Sequence, residues 1–199
     1  MIIIDLFSLT VLPLLTYVLT RNVYITLIVL LFCIRFMNSP DLSLTETKPD
    51  IFYAVSSGYV NWIRSDNTHT TISFFLNVFD NHTQYIPITS QIRKTENFKG
   101  TFVPAYREHS INNTRVKHTL YNPRFDCEYT VTQITGILTR RIISFQKPKT
   151  NELLQPGTRL GFIVLGSRVD ISIPNKNIKN ILLKPNTHIE AMSPIVELK

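Results

Sequence analysis

Two apolar runs open the chain, Ile2 to Leu19 and Val23 to Met37, separated by the polar Thr20-Arg21-Asn22. As helices they would measure about 27 Å and about 22 Å at about 1.5 Å per residue, against about 30 Å for a hydrocarbon core. The first is long enough to span a bilayer and the second is short. Residues 1–37 are therefore expected to form a membrane-anchor segment of two apolar helices, either a spanning hairpin or a shallow anchor. Arg21 and Arg35 would reach to the headgroups. A secretory signal is the first competing reading, but the chain opens MIIID without a basic leader region or a small-residue cleavage pattern. A helix pair buried inside a protein is the second, since apolar periodicity alone does not separate it from a membrane segment. The charge pattern favours a membrane-associated protein with its C-terminal body on the cytosolic face.

Past Asn38-Ser39-Pro40 the pattern changes to short alternations of apolar and polar residues. They run from Thr70 to Val78, Thr130 to Ile134, Arg140 to Phe145, Leu160 to Leu165 and Val169 to Ile173. A period of two with Asn, Pro and Gly between the runs predicts strands joined by turns. The expected fold is mostly β, a compact sandwich or barrel-like catalytic domain preceded by the N-terminal hydrophobic helices. Residues 38–50, rich in Ser, Thr, Glu, Lys and Pro, read as a linker, and residues 51–199 as the β domain. Within it, Gly166-Ser167 lies between two alternating runs, which by themselves read as a hairpin with a turn or bulge.

Composition changes the picture at two points. Lys and Arg exceed Asp and Glu by 21 to 14, a net charge of +7 that suits an anionic partner such as nucleic acid or an acidic lipid surface. Two cysteines, Cys33 and Cys127, support neither a disulfide scaffold nor a Cys-rich zinc site. The five histidines show no HExxH spacing, and no GxxxxGK or GxGxxG loop is present, so no metal is expected and phosphate-cradling chemistry loses support. No zinc-finger, RNP-like or Lys/Arg-rich tract supports a nucleic-acid partner. Asn81 and Asn112 open N-x-T sequons.

Four segments in order carry a more specific signal: FLNVFDNHTQYIP (Phe75 to Pro87), FVPAYRE (Phe102 to Glu108), QITGILTRRII (Gln133 to Ile143) and PGTRLGFIVLGSRVDISIP ending at Pro174. Together with the aromatic run LFCIRFMNSP (Leu31 to Pro40), they resemble the phosphatidylserine decarboxylase family in its short, single-serine form. The resemblance covers most of the chain.

It implies a pyruvoyl-dependent carboxy-lyase made as a self-cleaving proenzyme. Ser167 would attack the Gly166 carbonyl, and elimination and loss of ammonia would leave a pyruvoyl cofactor at residue 167. That group would bind the substrate amine as a Schiff base and take up the electrons freed with CO2. The implied partners are phosphatidylserine in anionic membranes and the chain's own large and small subunits; pairing with a second copy is left open. His82 matches the histidine of the family's FDxH-type segment, where it resembles a proton donor or a group binding the substrate carboxylate. Asp80 would share its strand face if the strand is regular, and could orient it. Arg140 and Arg141 are candidate contacts to the substrate phosphate or carboxylate.

The likeness has gaps. Ser57, in AVSSG (Ala54 to Gly58), stands where the family carries an aspartate that activates a histidine for scission. A serine cannot hold an imidazolium as a carboxylate does. Tyr85 stands where longer members carry a second histidine, and Lys184-Pro185-Asn186-Thr187 replaces a glycine-containing turn. An uncleaved, inactive relative that binds acidic lipid at a membrane therefore remains the alternative expectation.

Overall fold

The computed structural model describes residues 11–36, 38–40, 42, 47–137, 141–149, 152–164 and 167–199. The chain divides into two compact units, Met1–Pro40 and Asp41–Lys199.

In the first unit two helices, α1 (Leu12–Thr20) and α2 (Val23–Phe36), pack on one another. Pro13 suits the first turn of α1, where its missing N–H has no helical partner anyway. The polar triplet breaks the helix for a local reason. Arg21 takes a left-handed φ of 50° and its N–H closes on the Tyr17 carbonyl at 2.7 Å. Asn22 then caps α2, its Oδ1 accepting the N–H of Tyr24 at 2.9 Å and of Ile25 at 3.3 Å. With 9 and 14 residues the helices are about 14 Å and about 21 Å long. No described helix is long and apolar enough to cross a membrane; the expected first span begins in residues 1–10, outside the described residues.

The second unit is a β structure with three sheets among the described residues. The largest has seven strands in the order β12 (His188–Ile189), β2 (Gly58–Ser65), β3 (His69–Leu76), β10 (Ser167–Pro174), β7 (Cys127–Thr135), β6 (Arg115–Asn122) and β5 (Gln91–Phe98). One three-stranded sheet runs β1 (Ile51–Tyr53), β13 (Pro194–Leu198), β11 (Ile178–Ile181). The other runs β4 (Thr83–Tyr85), β9 (Arg159–Ile163), β8 (Ile142–Ser144). All pairings between these strands are antiparallel.

Alternation decides which face of the large sheet is the core. Val169, Ile171 and Ile173 of β10 share a face with Ile72, Phe74 and Leu76 of β3 and with Val131 of β7, and all are fully buried. They form one hydrophobic cluster with Ile86 and with Phe52, Leu160, Ile163, Ile195 and Val196 from the smaller sheets. The expected mostly β architecture is present.

The hairpin expected around Gly166-Ser167 is not formed. β9 pairs with β4 and β8 in a small sheet, whereas β10 inserts between β3 and β7 in the large one. Alternation marks both segments as strands but carries no information about which sheet each joins. The connector thus passes from one sheet to another.

Two backbone positions need special residues. Gly58 opens β2 at φ 145°, and a Cβ there would lie 2.6 Å from the Phe75 carbonyl oxygen. Asn186 adopts φ 62° in the turn where the resemblance leads one to expect glycine; among non-glycine residues asparagine tolerates this region best.

Candidate active site

Ser167 is the first residue of β10, paired with Leu76, the last residue of β3, and with Thr135, the last of β7. It points to the core face and is 0% exposed. Its hydroxyl has no hydrogen-bond partner among the described residues. An unsatisfied buried hydroxyl costs about 1–3 kcal/mol, so one at the end of a central strand calls for an explanation. Gly166 and Arg140 lie outside the described residues.

His82 is fully buried just before β4, and its carbonyl accepts the N–H of Ile163 at 3.1 Å, at the end of β9. His82 is thereby tied to the end of β9, the strand that precedes Ser167 in the chain. Asp80 does not share a strand with His82: it ends a turn begun at Asn77, whose N–H its Oδ2 accepts at 2.8 Å. It touches His82 through the main chain, its carbonyl accepting Nδ1–H of the imidazole at 2.9 Å. Since a carbonyl can only accept, the neutral ring carries its proton on Nδ1. Burial lowers the proton affinity of His82 to a pKa of about 4, with the Asp80 hydrogen bond and charge opposing it only in part.

The Asp80 carboxylate has a different imidazole partner. His188 Nε2 lies 2.8 Å from Asp80 Oδ1, and the ring stacks edge-on against Tyr59. His188 was not a sequence candidate; its only signal was to fall in the poorly matching C-terminal turn region.

A second feature escaped the sequence altogether. Gln84 Nε2 donates to the His82 carbonyl at 2.7 Å, and Gln133 Nε2 donates to Gln84 Oε1 at 2.5 Å. Gln133 Oε1 in turn accepts from His118 Nε2 at 2.9 Å, which leaves His118 Nδ1 to accept the Thr95 hydroxyl at 3.0 Å. Gln84, Gln133 and His118 are all 0% exposed, and burial holds His118 below its ordinary pKa. The donor directions are consistent from end to end, so a polar chain crosses the core without an orphaned group in it. Gly161 of β9 makes room: a Cβ there would lie 2.7 Å from Gln133 Nε2.

Ser57 is buried and donates its hydroxyl to Glu190 Oε2 at 3.0 Å while accepting the Ala191 N–H at 3.0 Å. It is thus held by the C-terminal segment that carries His188. Arg141 is exposed, and its carbonyl accepts the N–H of Val164, close in sequence to Ser167. Asn81 uses its side chain internally, Oδ1 accepting the Thr83 N–H at 2.9 Å. No cluster of metal-ligating side chains occurs among the described residues.

Residues 32–197 match the model of a family described as phosphatidylserine decarboxylase. A phosphatidylserine decarboxylase proenzyme of Carboxydothermus hydrogenoformans is 29% identical over 161 residues, which is 77% of this chain and 74% of that protein. One from Solibacter usitatus is 29% identical over 171 residues, 85% of this chain and 80% of the relative. An archaetidylserine decarboxylase proenzyme assigned to Methanococcoides burtonii is 30% identical over 152 residues, 76% and 69% of the two chains. No solved structure matches.

Proposed function

Since the chain belongs to the phosphatidylserine decarboxylase family, we propose that it cuts itself before Ser167 and converts phosphatidylserine to phosphatidylethanolamine and CO2. The observation that carries this reading is the buried, unpartnered hydroxyl of Ser167 at the head of a central strand.

The Ser167 oxygen attacks the carbonyl of residue 166 and the peptide bond becomes an ester, freeing the Ser167 amine. Loss of the Ser167 α-proton breaks the Cβ–O bond, and residue 166 leaves as a carboxylate. Water then replaces the amine at residue 167, ammonia departs, and a pyruvoyl group remains. The residues fit that group: Ser167 is buried and shielded from competing solvent, as an electrophile requires. Residue 167 would hold that group, which would supply an electrophilic carbonyl for the substrate amine and a sink for the electron pair that CO2 leaves behind.

His82 stands uncharged because burial disfavours its cation. An anionic headgroup entering nearby raises its proton affinity, so the imidazole gains a proton when substrate arrives and delivers it to the carbon that lost CO2. Asp80 holds the ring through its main-chain carbonyl, and the Gln84–Gln133–His118 chain holds the His82 backbone from the other side. Arg141, exposed next to the connector, is a candidate contact for the anionic headgroup. The exposed Leu14, Leu19, Tyr24, Ile28 and Leu31 of α1 and α2 are suited to an acidic lipid surface, as is the net charge of +7.

Intact-mass measurement of the purified chain tests the reading. The expected result is two pieces, ending at Gly166 and beginning at a residue 167 that has lost ammonia, and a single uncut chain for Ser167→Ala. A wild-type chain that stays whole in the presence of its lipid would overturn it and leave a non-cutting lipid-binding relative.

A further inference from the structure

Arg168 follows the reactive serine and points to the opposite face of the sheet, where a charged residue would ordinarily meet water. Instead it is 2% exposed, with Asp170 beside it at 6%. The guanidinium binds Asp170 in bidentate fashion, Nε to Oδ1 at 2.7 Å and Nη2 to Oδ2 at 2.6 Å. Its third nitrogen, Nη1, donates to the carbonyls of Arg107 at 3.2 Å and Glu108 at 3.3 Å and to the Ser110 hydroxyl at 3.0 Å. The indole of Trp62 lies against it, 4.9 Å from ring centre to guanidinium carbon.

Each of these contacts has a structural cause. A bulge in β2 between Val60 and Trp62 places Trp62, not Asn61, opposite Ser73, and so in the row of Asp170. The segment around Arg107 to Ser110 is folded over the outer face by the short helix Glu108–Asn112. Asn113 ties it down with one amide N–H on the Val103 carbonyl at 2.8 Å and one on the Thr135 carbonyl at 2.7 Å. Thr135 is the residue paired with Ser167. The FVPAYRE segment thereby acquires a purpose that its sequence alone did not reveal.

The division of these partners is informative under the reading that the chain cuts itself before Ser167, on which this inference rests. Asp170 belongs to the small piece with Arg168. Trp62, Arg107, Glu108 and Ser110 belong to the large one. Formation of a pyruvoyl group removes the nitrogen of residue 167, and with it a main-chain donor at the very end of the strand, where termini fray. Arg168 then becomes the first residue with a complete set of backbone groups. We propose that Arg168 is a positioning residue: its buried guanidinium staples the new terminus to the large piece and so fixes residue 167 in register with Leu76 and Thr135.

The test uses full-length wild type, Arg168→Met, Arg168→Lys and Ser110→Ala. Four readouts apply: extent of cutting by intact mass, retention of the small piece on gel filtration in sub-denaturing urea, amide exchange over β10, and kcat against KM. Arg168→Met is expected to cut itself but to lose the small piece in urea, to exchange faster over β10, and to drop at least tenfold in kcat with KM unchanged. Arg168→Lys, which keeps the charge without the fork, should fall between, and Ser110→Ala should shift the same readouts about threefold. An Arg168→Met protein that cuts, keeps its small piece and turns over like wild type overturns the proposal. So does one that folds yet stays uncut, since the arginine would then serve scission instead of its product. If Arg168→Met does not fold, wild-type behaviour of Ser110→Ala in all four readouts overturns it. Uncut wild type would instead defeat the self-cutting reading itself.

Discussion

His82 donates its Nδ1 proton to the main-chain carbonyl of Asp80, 2.9 Å away, and not to the Asp80 carboxylate, which faces His188. A carbonyl fixes the tautomer and orientation of an imidazole but offers less to a positive charge than a carboxylate would. With the ring fully buried, the neutral form prevails, and the consequences are measurable.

Stability should fall with acid through a defined window. The pKa of His82 drops from 6.5 to about 4 on folding, so between these values the unfolded chain takes up a proton that the folded one refuses. The contribution is complete above pH 6.5 and is lost as pH falls toward 4, amounting to about 3 kcal/mol. His118, also held below its ordinary value by burial, acts with the same sign. Urea unfolding from pH 7 to pH 4 should show this loss for wild type and a shallower one for His82→Asn; parallel curves would refute it.

His82→Ala should lower decarboxylation a hundredfold or more while leaving the chain able to cut itself, in line with the usual worth of a positioned proton-transfer group of about 10²–10⁴. Release of CO2 from carboxyl-labelled phosphatidylserine reads the first effect, and a protein gel the second. Wild-type turnover would remove His82 from the mechanism.

Restoring an acid at position 57 should not help. Ser57 donates to Glu190 Oε2 at 3.0 Å, and an aspartate in its place would set one carboxylate against another. Ser57→Asp is expected to be less stable than wild type by about 1 kcal/mol, with Glu190→Gln relieving the loss in the double variant. Faster cutting by Ser57→Asp alone would contradict this.

Gly161→Ala should cost about 1–3 kcal/mol, since the new methyl would lie 2.7 Å from Gln133 Nε2 and 2.8 Å from the fixed carbonyl of Ile143. Because Gln133 holds Gln84, which holds His82, the variant should also lose turnover beyond its loss of folded protein. Thermal melts and rates normalised to folded protein separate the two.

How much of this was legible beforehand differs from residue to residue. Val169, Ile171 and Ile173 announce a strand with one buried face, and that face is the core. The same alternation assigns Arg168 and Asp170 to solvent, and there it misleads, because the segment bearing Arg107 and Glu108, 61 and 60 residues before Arg168, lies over that face. Period-two patterning encodes which side a residue takes, not what lies on that side. Asp80 was misplaced for a related reason: spacing from His82 implies a shared face only within a strand, and Asn77 to Asp80 is a turn. Gln84 and Gln133 lie inside segments of the resemblance, but nothing there pointed to a role for them. Two polar residues in strands look solvent-facing until the partners that satisfy them are known.

The placement of β10 between β3 and β7 also sets an order of events during synthesis. β3 and β7 both precede β10 in the chain, and neither can complete its hydrogen bonding on that side until residues 167–174 have been made. Ser167 cannot be enclosed before then. The seven-stranded sheet is thus closed at its middle by the strand that Ser167 heads, and its two halves have no direct bond to one another until that strand is in place.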